Sequence, residues 1–236
     1  MIKKVLFTIV TIVLIASCSE TSENSMMLTG NVKGLKKGTL YLEKIEDSTL
    51  ITVDSIALKG DGNFSFSYEL ESPEIFYLHL DKADNNDIND RLTFFGEKGE
   101  VYIETVWNSF DSKAEIVGSK THKEFDECRQ ILTKFSIREL ELAQQISLPQ
   151  YNDNTTALDS LVKLSNKNVL RRYLYVLNFA LTNPDSYASP YLALTEASDA
   201  NPKYLDSIQK ALSPNVANSK YGKALKKYLE VKETVN

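Results

Sequence analysis

Cysteine is nearly absent from this chain: its 236 residues hold two, Cys18 and Cys128. No Cys-x-x-Cys occurs, so a dithiol redox cycle has no motif to run on. Histidine is as scarce, and neither His79 nor His122 has partner ligands at metal-site spacing. No Gly-x-Ser-x-Gly elbow is present, and Gly60-Asp61-Gly62 reads as a turn rather than a phosphate cradle. Basic excess is missing too. The net charge of −5 argues against a general nucleic-acid binder. The one sustained apolar stretch, Val5 to Ala16, is shorter than the ~20 residues a membrane-spanning helix needs. These absences leave no catalytic, cofactor or metal residue to assign. What remains is a globular composition, 42% hydrophobic and 25% charged.

The start of the chain has its own logic. Lys3 and Lys4 form a positive head, "VLFTIVTIVLIA" is the length of a signal-peptide core, and small residues precede Cys18. The string Ile15-Ala16-Ser17-Cys18 resembles the lipobox of bacterial lipoproteins. That resemblance implies a diacylglyceryl group on the Cys18 thiol, cleavage before Cys18 and acylation of the new amino group. A disulfide at Cys18 has only Cys128 as a partner, and no metal-ligand set surrounds it. Residues 1–17 are therefore expected to be a signal peptide and 18–26 a lipidated tether. "SETSENS", residues 19–25, is polar enough to stay flexible. Two or three acyl chains on one residue supply the second membrane signal that stable anchoring takes. Ser19 is not the aspartate that commonly retains lipoproteins at the inner membrane, so the resemblance favours the outer membrane, with the facing leaflet open.

From residue 27 to 117 short period-2 runs alternate with turn residues, which predicts about eight strands in an antiparallel β-sandwich or barrel. In "TLYLEKI", Leu40 and Leu42 fall on one side, Tyr41 and Glu43 on the other. Asp61-Gly62 and Gly96-Glu97-Lys98-Gly99 are hairpin signals. Phe64, Phe66, Tyr68 and Leu70 share a face, as do Phe76, Leu78 and Leu80.

From residue 118 to 236 the period changes to 3.6, so the fold class is α+β with a C-terminal helical domain. Phe125, Cys128, Leu132 and Phe135 line one face of a first helix, with Thr121 and Glu124 as its capping box. A second helix runs from about Ala157 to Leu181, with an interruption near "SNKN", residues 165–168. "YLALTEA", "PKYLDSIQKAL" and "SKYGKALKKYLEVKE" supply further helices, with Pro202 in a first turn and Ser219 as a cap.

Several stretches carry a wider resemblance. "LTGNVKGLKKGTLYLEK", "TVDSIALKGDGNFSFSYELESPEIFYLHL" and "FFGEKGEVYIE" resemble a lipoprotein domain of unknown function that precedes thioredoxin-like thiol–disulfide oxidoreductases in anaerobic Gram-negative bacteria. "GSKTHKEFDE", "NPDSYASPYLAL" and "SKYGKALKKYLE" resemble the helical segment that links it to the thioredoxin module. The catalytic cysteines of those oxidoreductases have no counterpart in these residues, so the resemblance implies position and a thioredoxin-like partner rather than catalysis. Tyr173, Tyr175, Tyr187, Tyr191, Tyr204, Tyr221 and Tyr228 all lie in the helical half. Tyrosine favours interfaces, and in the relatives this half adjoins another domain.

The remaining candidates have plain readings. Cys128, between Phe125 and Leu132, is expected as a buried small hydrophobe, with a mixed disulfide as the sharper alternative. His79 belongs on the outward face of a strand and His122 in a helix's first turn. "DKADNNDIND", residues 81–90, is oxygen-rich, but Asp90 and Gly96 stand where an EF-hand loop starting at Asn85 needs Gly and Glu, so a solvated hairpin loop is expected. Asp54 with Glu69, and Glu97 with Glu100, are the carboxylate pairs that acid–base chemistry would draw on, though nothing distinguishes them among 32 acidic residues. The expected function is a non-catalytic, lipid-anchored interaction or scaffold module of the envelope. The alternative is an envelope lipoprotein that binds a peptide or glycan.

Overall fold

The computed structural model describes residues 24–82, 90–148 and 155–235. The expected signal peptide, Cys18, most of the tether and residues 83–89 of the candidate calcium loop lie outside the described residues. Eight strands come first: β1 (Ser25–Lys33), β2 (Lys37–Glu46), β3 (Thr49–Lys59), β4 (Asn63–Glu69), β5 (Glu74–Asp81), β6 (Arg91–Gly96), β7 (Gly99–Val106) and β8 (Glu115–Val117). Six helices follow: α1 (Lys120–Ile146), α2 (Thr155–Thr182), α3 (Ala188–Glu196), α4 (Pro202–Ala211), α5 (Pro214–Ala217) and α6 (Lys220–Val235).

The strands form two four-stranded sheets, β4-β1-β7-β8 and β3-β2-β5-β6. They stack as a sandwich and do not close into a barrel. Between them Met26, Leu28, Leu40, Leu42, Phe76 and Phe94 are wholly buried. The period-2 alternation explains this, because one face of every strand is apolar.

Two expectations about connections are corrected. Asp61-Gly62 joins β3 to β4, which belong to different sheets, so it is a crossing between layers and not a hairpin. The segment is captured by β1: Val32 N–H donates to Gly62 O at 2.9 Å, and Asn31 Nδ2 donates to Asp61 O at 2.8 Å. Gly96–Gly99 likewise carries the chain from β6 in one sheet to β7 in the other. A tight two-residue turn does occur between β2 and β3. There Asp47 and Ser48 both have positive φ, the backbone twist such hairpins need. Because β7 arrives from the opposite sheet, no short turn dictates its direction, and it pairs with β1 in parallel. Every other pair is antiparallel, as expected.

Gly118 turns the chain from β8 into the helices. Its φ is +94°, and a Cβ there would sit 2.0 Å from Glu100 O, so only glycine fits. The start of α1 differs from the capping box read at Thr121 and Glu124. The N-cap is Ser119, whose side chain accepts from His122 N–H at 2.9 Å. The Glu97 carboxylate, arriving from the β6–β7 crossing, accepts from Lys120 N–H at 2.7 Å and Thr121 N–H at 3.0 Å. A negative group on these free amides also suits the helix dipole.

α2 runs unbroken through residues 165–168, where an interruption was expected. The polar side chains there are spent on α1. Asn168 Nδ2 donates to Phe135 O and Glu139 Oε2, each at 3.0 Å, and Ser165 donates to Glu139 at 2.5 Å. Ser219 caps α6 as read, accepting from Gly222 N–H at 3.2 Å.

The helical layer sits on one end of the second sheet's outer face. Phe94 and Phe95 are adjacent in β6 and point opposite ways, Phe94 into the sandwich and Phe95 into the helical core. Phe95 is fully buried, and the rings of Phe125, Tyr191 and Tyr221 meet it edge-on at 5.3, 5.4 and 6.0 Å. Two strand amides are satisfied from the helices. Phe95 N–H donates to His122 Nδ1 at 3.3 Å, and Ile75 N–H to the Tyr221 hydroxyl at 3.0 Å. Lys220, at the start of α6, also bonds the buried Glu74 of β5. Tyr191 and Tyr221, counted above among residues suited to an interface with another domain, are thus used within the chain, between sheet and helices.

Candidate functional site

The helices cover only one end of that outer face. The open end carries a polar row that the strand register assembles. Tyr41 on β2 lies opposite His79 on β5, which lies opposite Arg91 on β6. One step along, Glu43 lies opposite Tyr77 on β5 and Thr52 on β3. A bulge between Leu42 and Glu43 shifts the β2–β3 register at this point, a device that re-aims side chains.

Glu43 therefore departs from simple alternation. Its position predicts a solvent-facing carboxylate, yet only 7% of the residue is exposed, because the neighbouring side chains close over it. The Arg91 guanidinium is 3.1 Å from Oε2, and His79 Nδ1 is 3.8 Å from Oε1. Arg91 is not aligned for a hydrogen bond, and Oε2 is buried with no hydrogen-bond partner. The Tyr41 and His79 rings stack at 5.8 Å beside it. Together with Thr52 and Asp81 these groups line an open cavity of about 520 Å³. Oε2 is covered and has Arg91 as its charge partner, so a ligand in the cavity meets the Tyr41, Thr52, His79, Asp81 and Arg91 side chains, which offer both hydrogen-bond donors and acceptors. The cradle is thus chemically suited to a polar ligand.

The residues singled out from the sequence lie elsewhere or take structural roles. Cys128 is fully buried in the helical core, and burial pushes its thiol up to about 11, partly opposed by the Tyr175 hydroxyl. His122 is buried, and desolvation lowers its pKa below the ordinary imidazole value. Its neutral Nδ1 is the acceptor for Phe95 N–H. His79 is on the outward face as read, in the cradle. Asp54 and Glu69 fall on different sheets, and Glu97 caps α1 while Glu100 is exposed. Asp90, expected in a solvated loop, is 4% exposed and pairs with Lys82 at 2.8 Å. Among the described residues no three His, Cys, Asp or Glu side chains are grouped to hold a metal ion. No helix among them is long and apolar enough to cross a membrane.

Sequence reasoning passed over Glu43 and Arg91. Their signal is weak, since a Glu at a polar position of an alternating strand looks like any solvated residue. Only pairing across three strands brings it beneath Arg91.

A second concavity, about 750 Å³, lies between β8, the edge of β6 and α1, with His122, Asp126, Arg129 and Gln130 on its helical wall.

The sequence pattern of one family matches the chain. It is described as a domain of unknown function, DUF4369, and the match covers residues 26–125, which hold the eight strands, apart from Ser25, and the first turns of α1. No curated protein and no solved structure matches the chain.

Proposed function

We propose that this protein is a non-catalytic, lipid-anchored module of the cell envelope that works by recognition. The observation that carries the reading is the cradle: a buried Glu43 carboxylate, paired with Arg91 and lacking a hydrogen-bond donor on Oε2, beneath an open cavity. Two further features support it. Cys128 is sealed in the core with a raised pKa, an environment that suits packing and not thiol exchange. The residues before Cys18 resemble a lipobox, which supports anchoring by acyl chains, and Ser19 favours the outer membrane by the same resemblance.

The partner we propose is a thioredoxin-like thiol–disulfide oxidoreductase, on the strength of the resemblance in the order of its motifs. Affinity capture from envelope extracts with the lipidated protein tests this, comparing wild type with Glu43→Gln. Capture of a thioredoxin-like protein by wild type, weakened in the variant, is the expected result. Recovery of no such partner overturns the association. The anchor has its own test. Cys18→Ser leaves the precursor unacylated and uncleaved at this site, and unchanged processing refutes the lipid reading.

The cradle also favours a second reading, a module that binds a glycan or peptide directly. Sugar hydroxyls or peptide groups can pair with the Tyr41, Thr52, His79, Asp81 and Arg91 side chains that line it. Direct binding of purified glycans or peptides, lost in Glu43→Gln and Arg91→Ala, distinguishes it from a protein partner.

A further inference from the structure

Among the described residues α2 exposes more large apolar side chains than any other element: Val162, Leu164, Val169, Leu170, Leu174 and Leu181 are between 38% and 57% exposed, whereas α1 exposes Ile137 and Leu140. Leu170, Leu174 and Leu181 share one side of the helix, and Val162, Leu164 and Val169 lie to either side of it. Lys163, Lys167 and Arg171 are exposed among them. Taken by helical steps of three and four, Lys163, Lys167, Leu170, Leu174 and Leu181 fall on one continuous stripe. The helix has four basic residues against one acidic residue, Asp159, in a chain whose net charge is −5. Apolar side chains flanked by long cationic ones are what an anionic lipid surface accommodates: the leucines enter the headgroup boundary and the lysines stay with the phosphates.

The described chain begins near the C-terminal end of this helix. Asn24 Oδ1 accepts from Lys98 Nζ at 2.6 Å, beside the Glu97 that caps α1. Lys98 and Lys120 share a shallow pocket with Asp185, three residues past the end of α2. Five residues lie between Cys18 and Asn24, a reach of at most ~22 Å, and the end of α2 nearest Asn24 is its C-terminal one, which carries Leu181.

We infer that the outer face of α2, centred on Leu170 and Leu174 with Lys163, Lys167 and Arg171, docks onto an anionic lipid surface and sets how the tethered protein lies on its membrane. This rests on the lipid-anchored reading for its setting. The test does not, because it uses a chain that cannot be lipidated. A chain beginning at Ser19 contains every residue of both cores. It is floated with vesicles of phosphatidylcholine alone and of phosphatidylcholine with about one-third phosphatidylglycerol.

The chain is expected to float with the anionic vesicles and to leave the neutral ones, with binding that weakens as salt rises. Leu170→Ser with Leu174→Ser, and separately Lys163→Glu with Lys167→Glu, each lower binding about tenfold or more. Lys226→Glu with Lys227→Glu makes the same charge change on α6, which is also lysine-rich but, among the described residues, exposes only Val231 as a large apolar side chain, and is expected to leave binding unchanged. Equal loss from the α6 variant means diffuse attraction and overturns the inference. So does failure to bind either vesicle. A dimer in solution that the Leu170→Ser, Leu174→Ser pair dissolves, without vesicle binding, assigns the face to a second copy instead.

Discussion

Phe95→Ala removes the side chain on which the sheet and helical layers meet. The ring is fully buried and touches three aromatic rings edge-on, so nothing nearby can rotate to fill its place without breaking another such pair. Truncating a buried Phe costs about 3–5 kcal/mol. Each lost edge-on pair contributes about 0.5–1.5 kcal/mol beyond buried area, which puts this site at the upper end. For a chain of this size the loss corresponds to a fall in Tm of roughly 6–20 °C. The assay is equilibrium denaturation followed by two probes. Trp107, the only tryptophan, lies just after β7 and reports the sandwich, while far-UV circular dichroism reports chiefly the helices. Wild type is expected to show coincident transitions. The variant is expected to lose its helical signal first, because α1, α3 and α6 have lost their common footing on β6. Phe95→Leu keeps most of the volume but loses the same three ring pairs, so it is expected to lose less than Phe95→Ala and still at least about 1.5 kcal/mol. A Phe95→Ala loss below about 1 kcal/mol, or transitions that stay coincident, refutes the claim that this ring couples the two layers.

Two other predictions concern buried groups. With its thiol pushed up to about 11 and no exposed surface, Cys128 should resist a thiol reagent at mildly alkaline pH and react fully once the chain is denatured. Rapid modification of the native protein contradicts the packing described. His122 is held neutral by desolvation, so its folded pKa lies below the unfolded value of about 6.5. The folded state then binds fewer protons, and the associated stability is present above that value and lost as pH falls through the folded pKa. Protonation also removes the acceptor of Phe95 N–H. Denaturation midpoints measured across this window should drop with pH in wild type and less in His122→Gln. Parallel profiles would assign the acid sensitivity to other groups.

The extent and kind of the elements were legible. Strand alternation placed Phe76, Leu78 and Leu80 in one core, and the 3.6 period placed Phe125, Cys128 and Leu132 in another. These patterns are local consequences of one backbone geometry and survive any arrangement of neighbours. The caps were legible in part. Ser219 follows the local rule, whereas α1 takes its Glu97 cap from a turn more than twenty residues upstream.

Partnership between elements was not legible. Asp61-Gly62 and Gly96–Gly99 have hairpin chemistry, yet each crosses between sheets, because a turn sequence sets a local bend and not which strand receives the chain afterwards. The unbroken α2 depends on Asn168 and Ser165 finding Glu139 and Phe135 on another helix. Glu43 shows the same limit at the candidate site. The sequence alone determined that a carboxylate would stand on the polar side of β2. Only the stacking of β2 against β5 and β6, with a bulge at that residue, decided that it would be buried beside Arg91 and His79. Period and propensity are properties of neighbours along the chain, whereas burial and charge pairing are properties of neighbours in space, and these exist only once the sheets have assembled.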